Sequence, residues 1–145
     1  MKRLATRGLV LLLLTALATV TFGACKNAST ATPTTPTPVT TTETFSGTIP
    51  QLGSAAHSFT VAANGAITIS LTSIGPLATM SIGLGVGSWD GTTCTVITQN
   101  DNARANGVAA LTGTAVAGNF CAKVYDSGNI PDGTSVTYTI EVVHP

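Results

Sequence analysis

Residues 66–87, AITISLTSIGPLATMSIGLGVG, carry the pattern that decides the fold class. In residues 67–72, Ile and Leu alternate with Thr and Ser. After a break at Gly75-Pro76, residues 80–87 alternate Met, Ile, Leu and Val with Ser and three glycines. Alternation with a period of two places one set of side chains on each face of a β-strand. The stretch therefore predicts two strands, each with a single apolar face.

Similar short stretches recur about every ten residues and are separated by Gly, Asn, Asp, Ser and Pro, which is typical of a sandwich or barrel. The predicted strands are residues 44–49, 58–62, 66–73, 80–87, 94–98, 107–116, 119–126 and 136–142. The pair Asn64-Gly65 is a strong turn signal and predicts a hairpin between the second and third strands. We predict an all-β, antiparallel domain over residues 44–145.

The charge of the chain excludes one class of partner. The 145 residues include six basic and six acidic side chains, and only 8% of residues are charged. Residues 44–145 contain two cations, Arg104 and Lys123, which are too few for a phosphate-binding surface. We expect no nucleic-acid partner, and we expect a monomer.

The N-terminus is typical of an export signal. Lys2, Arg3 and Arg7 precede an apolar stretch, residues 9–20, which small residues follow. A basic region, about a dozen apolar residues and a small-residue exit form a secretory signal peptide. The alternative is an uncleaved membrane anchor, for which the longer apolar run from Gly8 to Ala24 reaches only the lower limit of about 17–25 residues.

The end of this segment, Phe22-Gly23-Ala24-Cys25, resembles the bacterial lipobox, in which an aliphatic residue usually stands at the position of Phe22. The resemblance implies a signal peptide over residues 1–24, a lipid group on the Cys25 sulfur and anchoring of the mature protein in a membrane. Lys26 favours the outer over the inner membrane, if the enterobacterial rule applies. The alternative is an ordinary signal peptide followed by an unrelated cysteine.

Residues 25–43 form a predicted tether. Eight of the eighteen residues from 26 to 43 are Thr and three are Pro. Such a segment buries too little apolar surface to offset its ordering entropy, and it favours extended polyproline-II conformers. We expect a disordered spacer between the lipid and the domain.

Two cysteines remain if Cys25 carries the lipid. Cys94 and Cys121 both lie in strand-like sequence, and disulfides persist in exported proteins. We predict a disulfide that closes a loop of about 28 residues. Two free thiols or a metal pair are the alternatives. A zinc site is disfavoured, because the chain has no Cys-x-x-Cys and His57 and His144 are distant in sequence.

Nearly all of residues 44–145 resembles the bacterial pre-peptidase C-terminal domain. The resemblance is carried by FSGTIPQLGSAAHSFTV (45–61), AITISLTSIGP (66–76), TAVAGNFCAKVYDSGN (114–129) and VTYTIEVVHP (136–145). It implies a jelly-roll-like β-sandwich of about eight short strands. Members of this family are commonly accessory modules of secreted or surface proteins, often beside a protease, but the sequence contains no protease domain.

Candidate ligand contacts lie in turns and at strand ends. Trp89 is the only tryptophan, and an exposed aromatic residue in a loop can stack on a sugar ring or anchor a protein contact. We take Trp89, Asp90 and Tyr125 as candidate binding residues. For Trp89, packing over the end of the sandwich is the alternative.

Two Asp- and Asn-rich runs offer oxygen ligands of the kind that Ca²⁺ prefers. The candidate ligands are Asn100, Asp101, Asp126 and Asp132. Neither run matches an EF-hand loop, and Asp and Asn are also selected in turns, where they bond to their own backbone. We expect no cofactor other than possible Ca²⁺.

The sequence contains no Gly-x-Ser-x-Gly elbow and no evident carboxylate pair. We expect His57 to be a partly buried structural residue and His144 to be solvated. The resulting hypothesis is a non-catalytic binding or structural module for an envelope protein or a glycan. The alternatives are an accessory domain that modulates a separate secreted protease, and a hydrolase that uses His57.

Overall fold

The computed structural model describes residues 39–145, which form eight strands and no helix, so this part of the chain has no helix that could cross a membrane. The strands are β1 (Thr41–Pro50), β2 (Ser54–Val61), β3 (Gly65–Gly75), β4 (Ser81–Trp89), β5 (Cys94–Arg104), β6 (Ala109–Ala115), β7 (Gly118–Tyr125) and β8 (Ser135–His144). The predicted signal peptide, the lipidation site Cys25 and most of the predicted tether lie outside the described residues.

The strands form two four-stranded antiparallel sheets, in the orders β1-β8-β3-β6 and β2-β7-β4-β5. Each strand pairs with its counterpart from the other end of the chain, so that β1 pairs with β8 and β4 with β5. An antiparallel ribbon folded over in this way is a jelly roll. The predicted all-β, jelly-roll-like sandwich is confirmed.

The predicted hairpin at Asn64-Gly65 is wrong. Strands β2 and β3 lie in different sheets, and the turn between them carries the chain from one sheet to the other. The Asn64 side chain instead accepts a hydrogen bond from the backbone N–H of Ala117, 3.0 Å away, in the turn between β6 and β7. Asn64 thus joins the β2–β3 turn to the β6–β7 turn instead of forming a hairpin.

The core lies between the sheets and follows the alternation of the strands. In β8, every second residue from Val136 to His144 is buried, while the residues between them are partly or fully exposed. The fully buried large side chains come from both sheets and include Ile49, Val61, Ile69, Leu71, Ile82, Leu84, Val124, Tyr138 and Ile140. Burial of side chains of this size stabilises the fold by about 1.5–3 kcal/mol each.

The start of β5 folds across the outer face of β4. Their register shifts between Val86 and Gly87, and a Cβ atom on Gly87 would lie 2.6 Å from the carbonyl carbon of Thr95. The same crossing lets Cys94 on β5 approach Cys121 on β7 to a Cα–Cα distance of 5.7 Å. Strands on opposite sides of a third strand are normally about 9–10 Å apart. On the face of β4 that the sequence leaves nearly bare, β5 therefore covers Gly85 and Gly87, while Tyr125 of β7 covers Gly83.

The turn between β1 and β2 holds an exposed leucine in an unfavourable conformation. Leu52 is 85% exposed and has a φ of 57°. Its N–H donates to the Asp126 carboxylate (2.9 Å), and the Asp126 N–H donates to the Gly53 carbonyl (3.0 Å). These bonds hold a backbone conformation that costs a leucine about 1–2 kcal/mol.

We expect Leu52→Asn to raise the free energy of unfolding by about 0.5–1 kcal/mol, because asparagine tolerates positive φ better than leucine does. Urea denaturation checks this, with Leu77→Asn as the matched control. Leu77 is also exposed but has no positive φ, so its variant should gain nothing. Equal effects of the two substitutions would contradict the assignment to backbone conformation.

Candidate functional site

The turn between β4 and β5 presents the single tryptophan. Trp89 ends β4 and is partly exposed. The next residue, Asp90, accepts hydrogen bonds at Oδ1 from the backbone N–H groups of Thr92 (2.9 Å) and Thr93 (2.7 Å) and from the Thr92 hydroxyl (3.1 Å). The bonds from Thr92 and Thr93 lower the pKa of the Asp90 carboxyl, which is therefore ionised at neutral pH.

A groove of about 410 Å³ lies beside this turn. Its volume is within the range of about 300–1,000 Å³ that is common for small-molecule sites. The lining residues come from β2, from the β4–β5 turn and from β7: Ser58, Phe59, Thr60, Trp89, Asp90, Gly91 and Asn119. The groove therefore combines one tryptophan with hydroxyl, amide and carboxylate groups.

The polar wall of the groove depends on the pairing of β2 with β7. Thr60 stands opposite Asn119, and the Thr60 hydroxyl donates to the Asn119 amide oxygen at 3.1 Å. Ser58, two residues earlier on β2, is exposed on the same face. Sequence reasoning missed all three residues. Their exposure could be predicted from the alternation within each strand. Their proximity could not, because it depends on the pairing of Thr60 with Asn119, which lie 59 residues apart in sequence.

Tyr125 lies away from the Trp89 groove. It pairs with Gly83 at the other end of β4, and its ring covers that glycine. The hydroxyl donates to the carboxylate of Asp101 on β5. Burial, with a smaller contribution from Asp101, raises the pKa of Tyr125 to about 12. Of the three predicted binding residues, the structure thus brings together Trp89 and Asp90, and it gives Tyr125 a contact between β7 and β5.

The predicted calcium ligands bond to the chain itself. Asn100 donates to a backbone carbonyl, Asp101 accepts from a tyrosine, Asp132 accepts from Gln51, and Asp126 accepts four backbone N–H groups. Burial acts to raise the pKa of Asp126, but these four bonds outweigh it and lower the pKa. Within residues 39–145, no three His, Cys, Asp or Glu side chains form a group that could hold a metal ion. These contacts favour the turn interpretation.

His57 occupies the structural position that the sequence predicts. It is partly buried, its ring stacks on Phe45 with centroids 4.9 Å apart, and its Nε2 lies 2.7 Å from the hydroxyl of Tyr138. Burial lowers the pKa of His57 and raises that of Tyr138, so that both groups are neutral at pH 7.

The expectation that His144 is solvated is wrong. His144 is 3% exposed, its Nε2 lies 2.9 Å from a Glu43 carboxylate oxygen, and its ring packs against Phe59. Strand β8 extends to His144, two residues beyond the predicted end, and pairs there with Thr41 of β1. Strand β1 begins at Thr41 rather than at the predicted residue 44. The signal was present in the sequence, because His144 extends the buried alternation of β8 by one step.

Cys94 and Cys121 form the predicted disulfide. Cys94 begins β5 and stands opposite Trp89, so the bond fastens the strand end that follows the Trp89 turn. Cys121 is fully buried. The disulfide thus fixes one side of the groove to the neighbouring strand β7.

No protein-family model and no curated protein matches the sequence. Among solved structures, the chain is similar to the crystal structure of Aeromonas hydrophila PliG, a periplasmic lysozyme inhibitor of g-type lysozyme. The two share 15% sequence identity with a TM-score of 0.47, and the match covers 70% of this chain and 83% of that one. A similarity of this size transfers neither function nor binding residues.

Proposed function

We propose that the protein is a lipid-anchored component of the cell envelope, displaying a small non-catalytic β-sandwich that binds an envelope protein or glycan. The groove beside Trp89 is the observation that carries the binding role, because it joins a partly exposed tryptophan to polar side chains on rigid strands. Ligand sites commonly combine aromatic surface with a few oriented polar groups.

The contacts of the other reactive side chains support a binding role over a catalytic one. His57 is held between Phe45 and Tyr138, and His144 is buried against Glu43. A hydrolytic triad needs a histidine hydrogen-bonded to a nucleophile that the substrate can reach, whereas the hydroxyl beside His57 belongs to the buried Tyr138. The two cysteines of residues 39–145 are joined in a disulfide and do not offer a thiolate.

Anchoring rests on the lipobox-like sequence that ends at Cys25. We expect the full chain, expressed with its leader in a bacterium, to incorporate a labelled fatty acid and to enter the detergent phase. Cys25→Ser should incorporate no label, because the acceptor sulfur is gone. A wild-type protein without label, or a variant that keeps its label, would overturn the anchor.

The binding role has a separate test. The Cys25→Ser protein, exported behind an ordinary cleavable signal peptide in place of residues 1–24, is mixed with isolated cell envelopes and sedimented. We expect this protein to sediment with the envelopes. We expect the further substitution Trp89→Ala to reduce the sedimented amount at least tenfold. Val108→Ser is the control, since Val108 is exposed in the loop that joins β5 and β6, at the other end of the sandwich. Absence of sedimentation, or equal sedimentation of both variants, would overturn the binding role.

A further inference from the structure

We infer that the groove beside Trp89 takes an uncharged carbohydrate, an assignment that rests on the proposed binding role and names its ligand class. Three features of the groove support it: the tryptophan in its lining, its free hydrogen-bonding groups and its charge. Together they favour a neutral sugar over the other ligands that a groove of this size admits.

The indole of Trp89, which lies in the lining of the groove, suits a sugar ring. The face of an indole carries the negative part of its quadrupole, which attracts the weakly positive C–H groups on one face of a pyranose. Trp89 is also preorganised, because it stands opposite the disulfide-bonded Cys94 and is followed by the turn that Asp90 closes. A side chain that is already ordered loses little conformational entropy when the ligand binds.

The polar groups of the groove suit sugar hydroxyls. The Asn119 amide accepts from Thr60 through its oxygen, which leaves the NH₂ group as a donor. The hydrogen bonds to Asp90 are accepted by Oδ1, which leaves Oδ2 as an acceptor. The exposed Ser58 hydroxyl can do either. Sugar hydroxyls both donate and accept, so they can bond to all three groups.

The charge of the groove selects among carbohydrates. Asp90 is the only charged side chain in the lining, and it is ionised. No Arg or Lys lines the groove to pair with a carboxylate, sulfate or phosphate, so a uronic acid or a phosphorylated glycan would meet repulsion without compensation. The groove therefore fits a neutral hexose or N-acetylhexosamine chain.

Trp89 is the only tryptophan, so the fluorescence of the full chain reports directly on this groove. The probes are cellohexaose, maltohexaose and hexa-N-acetylchitohexaose, with polygalacturonate as the anionic comparison. We expect at least one neutral hexamer to produce a saturable blue shift and protection from acrylamide quenching, and polygalacturonate to produce neither. Asn119→Ala should weaken binding at least tenfold, Trp89→Ala should abolish it in calorimetry, and Val108→Ser should leave it unchanged.

Envelope sedimentation separates failure of this inference from failure of the binding role. Periodate cleaves the vicinal diols of hexose chains, and a muramidase hydrolyses the N-acetylhexosamine chains that lack such diols. Pretreating the envelopes with both should abolish Trp89-dependent sedimentation, while pretreatment with proteinase K should not. If sedimentation depends on Trp89, survives the combined glycan treatment and is lost after proteinase K, the ligand is a protein. That result overturns the carbohydrate assignment and leaves the binding role intact. Binding of no neutral hexamer, or binding unaffected by Trp89→Ala, also overturns the assignment.

Discussion

Gly87→Ala is expected to lower the free energy of unfolding by about 3 kcal/mol or more. The added methyl group would lie 2.6 Å from the carbonyl carbon of Thr95 and 2.7 Å from the Cα of Val96. Both are backbone atoms of β5, so no change of rotamer relieves the overlap. Strand β5 must move off β4, and this movement disturbs the β4–β5 pairing and the disulfide at Cys94. Chemical denaturation followed by tryptophan fluorescence measures the loss.

Gly113→Ala is the matched control for this substitution. Gly113 also lies in a strand, in β6, but a Cβ atom placed there meets no atom within 4 Å. The control should leave stability unchanged or raise it by about 0.4–1 kcal/mol, because alanine restricts the unfolded chain more than glycine does. If the two alanine variants were equally stable, the close approach of β5 to β4 would be refuted.

The existence of the strands could be predicted from the sequence, because strands that bury one face, such as β3 and β8, keep a period of two. Val136, Tyr138, Ile140 and Val142 alternate in the sequence and are buried in the structure. The partner of each strand could not be predicted in this way. Asn64-Gly65 has the local chemistry of a hairpin turn, yet the chain passes there to the other sheet, because pairing between distant strands decides the topology.

In the candidate site too, the features that depend on neighbouring residues could be predicted, and those that depend on strand pairing could not. Trp89 and Asp90 are adjacent in the chain, and a turn was predicted at their position. Ser58 and Asn119 reach the same groove only because β2 pairs with β7. Tyr125 was also a candidate, but its place in the sequence does not say which end of the sheet the residue occupies. Such positions follow from register and strand order, which one sequence does not encode in any local pattern.

Loss of the Cys94–Cys121 bond is expected to cost roughly 2–4 kcal/mol of stability. The two cysteines are 27 residues apart, and the bond restricts the unfolded chain by closing that loop. In the folded state, it holds the start of β5 across β4, where the register shift at Gly87 interrupts regular pairing. The double variant Cys94→Ala/Cys121→Ala tests this by urea denaturation. We expect a lower midpoint and stronger acrylamide quenching of Trp89, because the strand that follows the Trp89 turn is no longer fastened.

Two comparisons separate the cross-link from the packing of the sulfur atoms. Chemically reduced wild-type protein keeps both sulfur atoms but has no bond, so its stability relative to the oxidised protein reports the cross-link alone. The further difference between the reduced protein and the double alanine variant reports the packing of Cys121, which is fully buried. Cys25→Ser serves as the control and should change neither value, because its side chain is not part of this bond. A reduced protein within about 0.5 kcal/mol of the oxidised one would contradict the expected effect of the cross-link, since closure of a loop this long should contribute several times that amount.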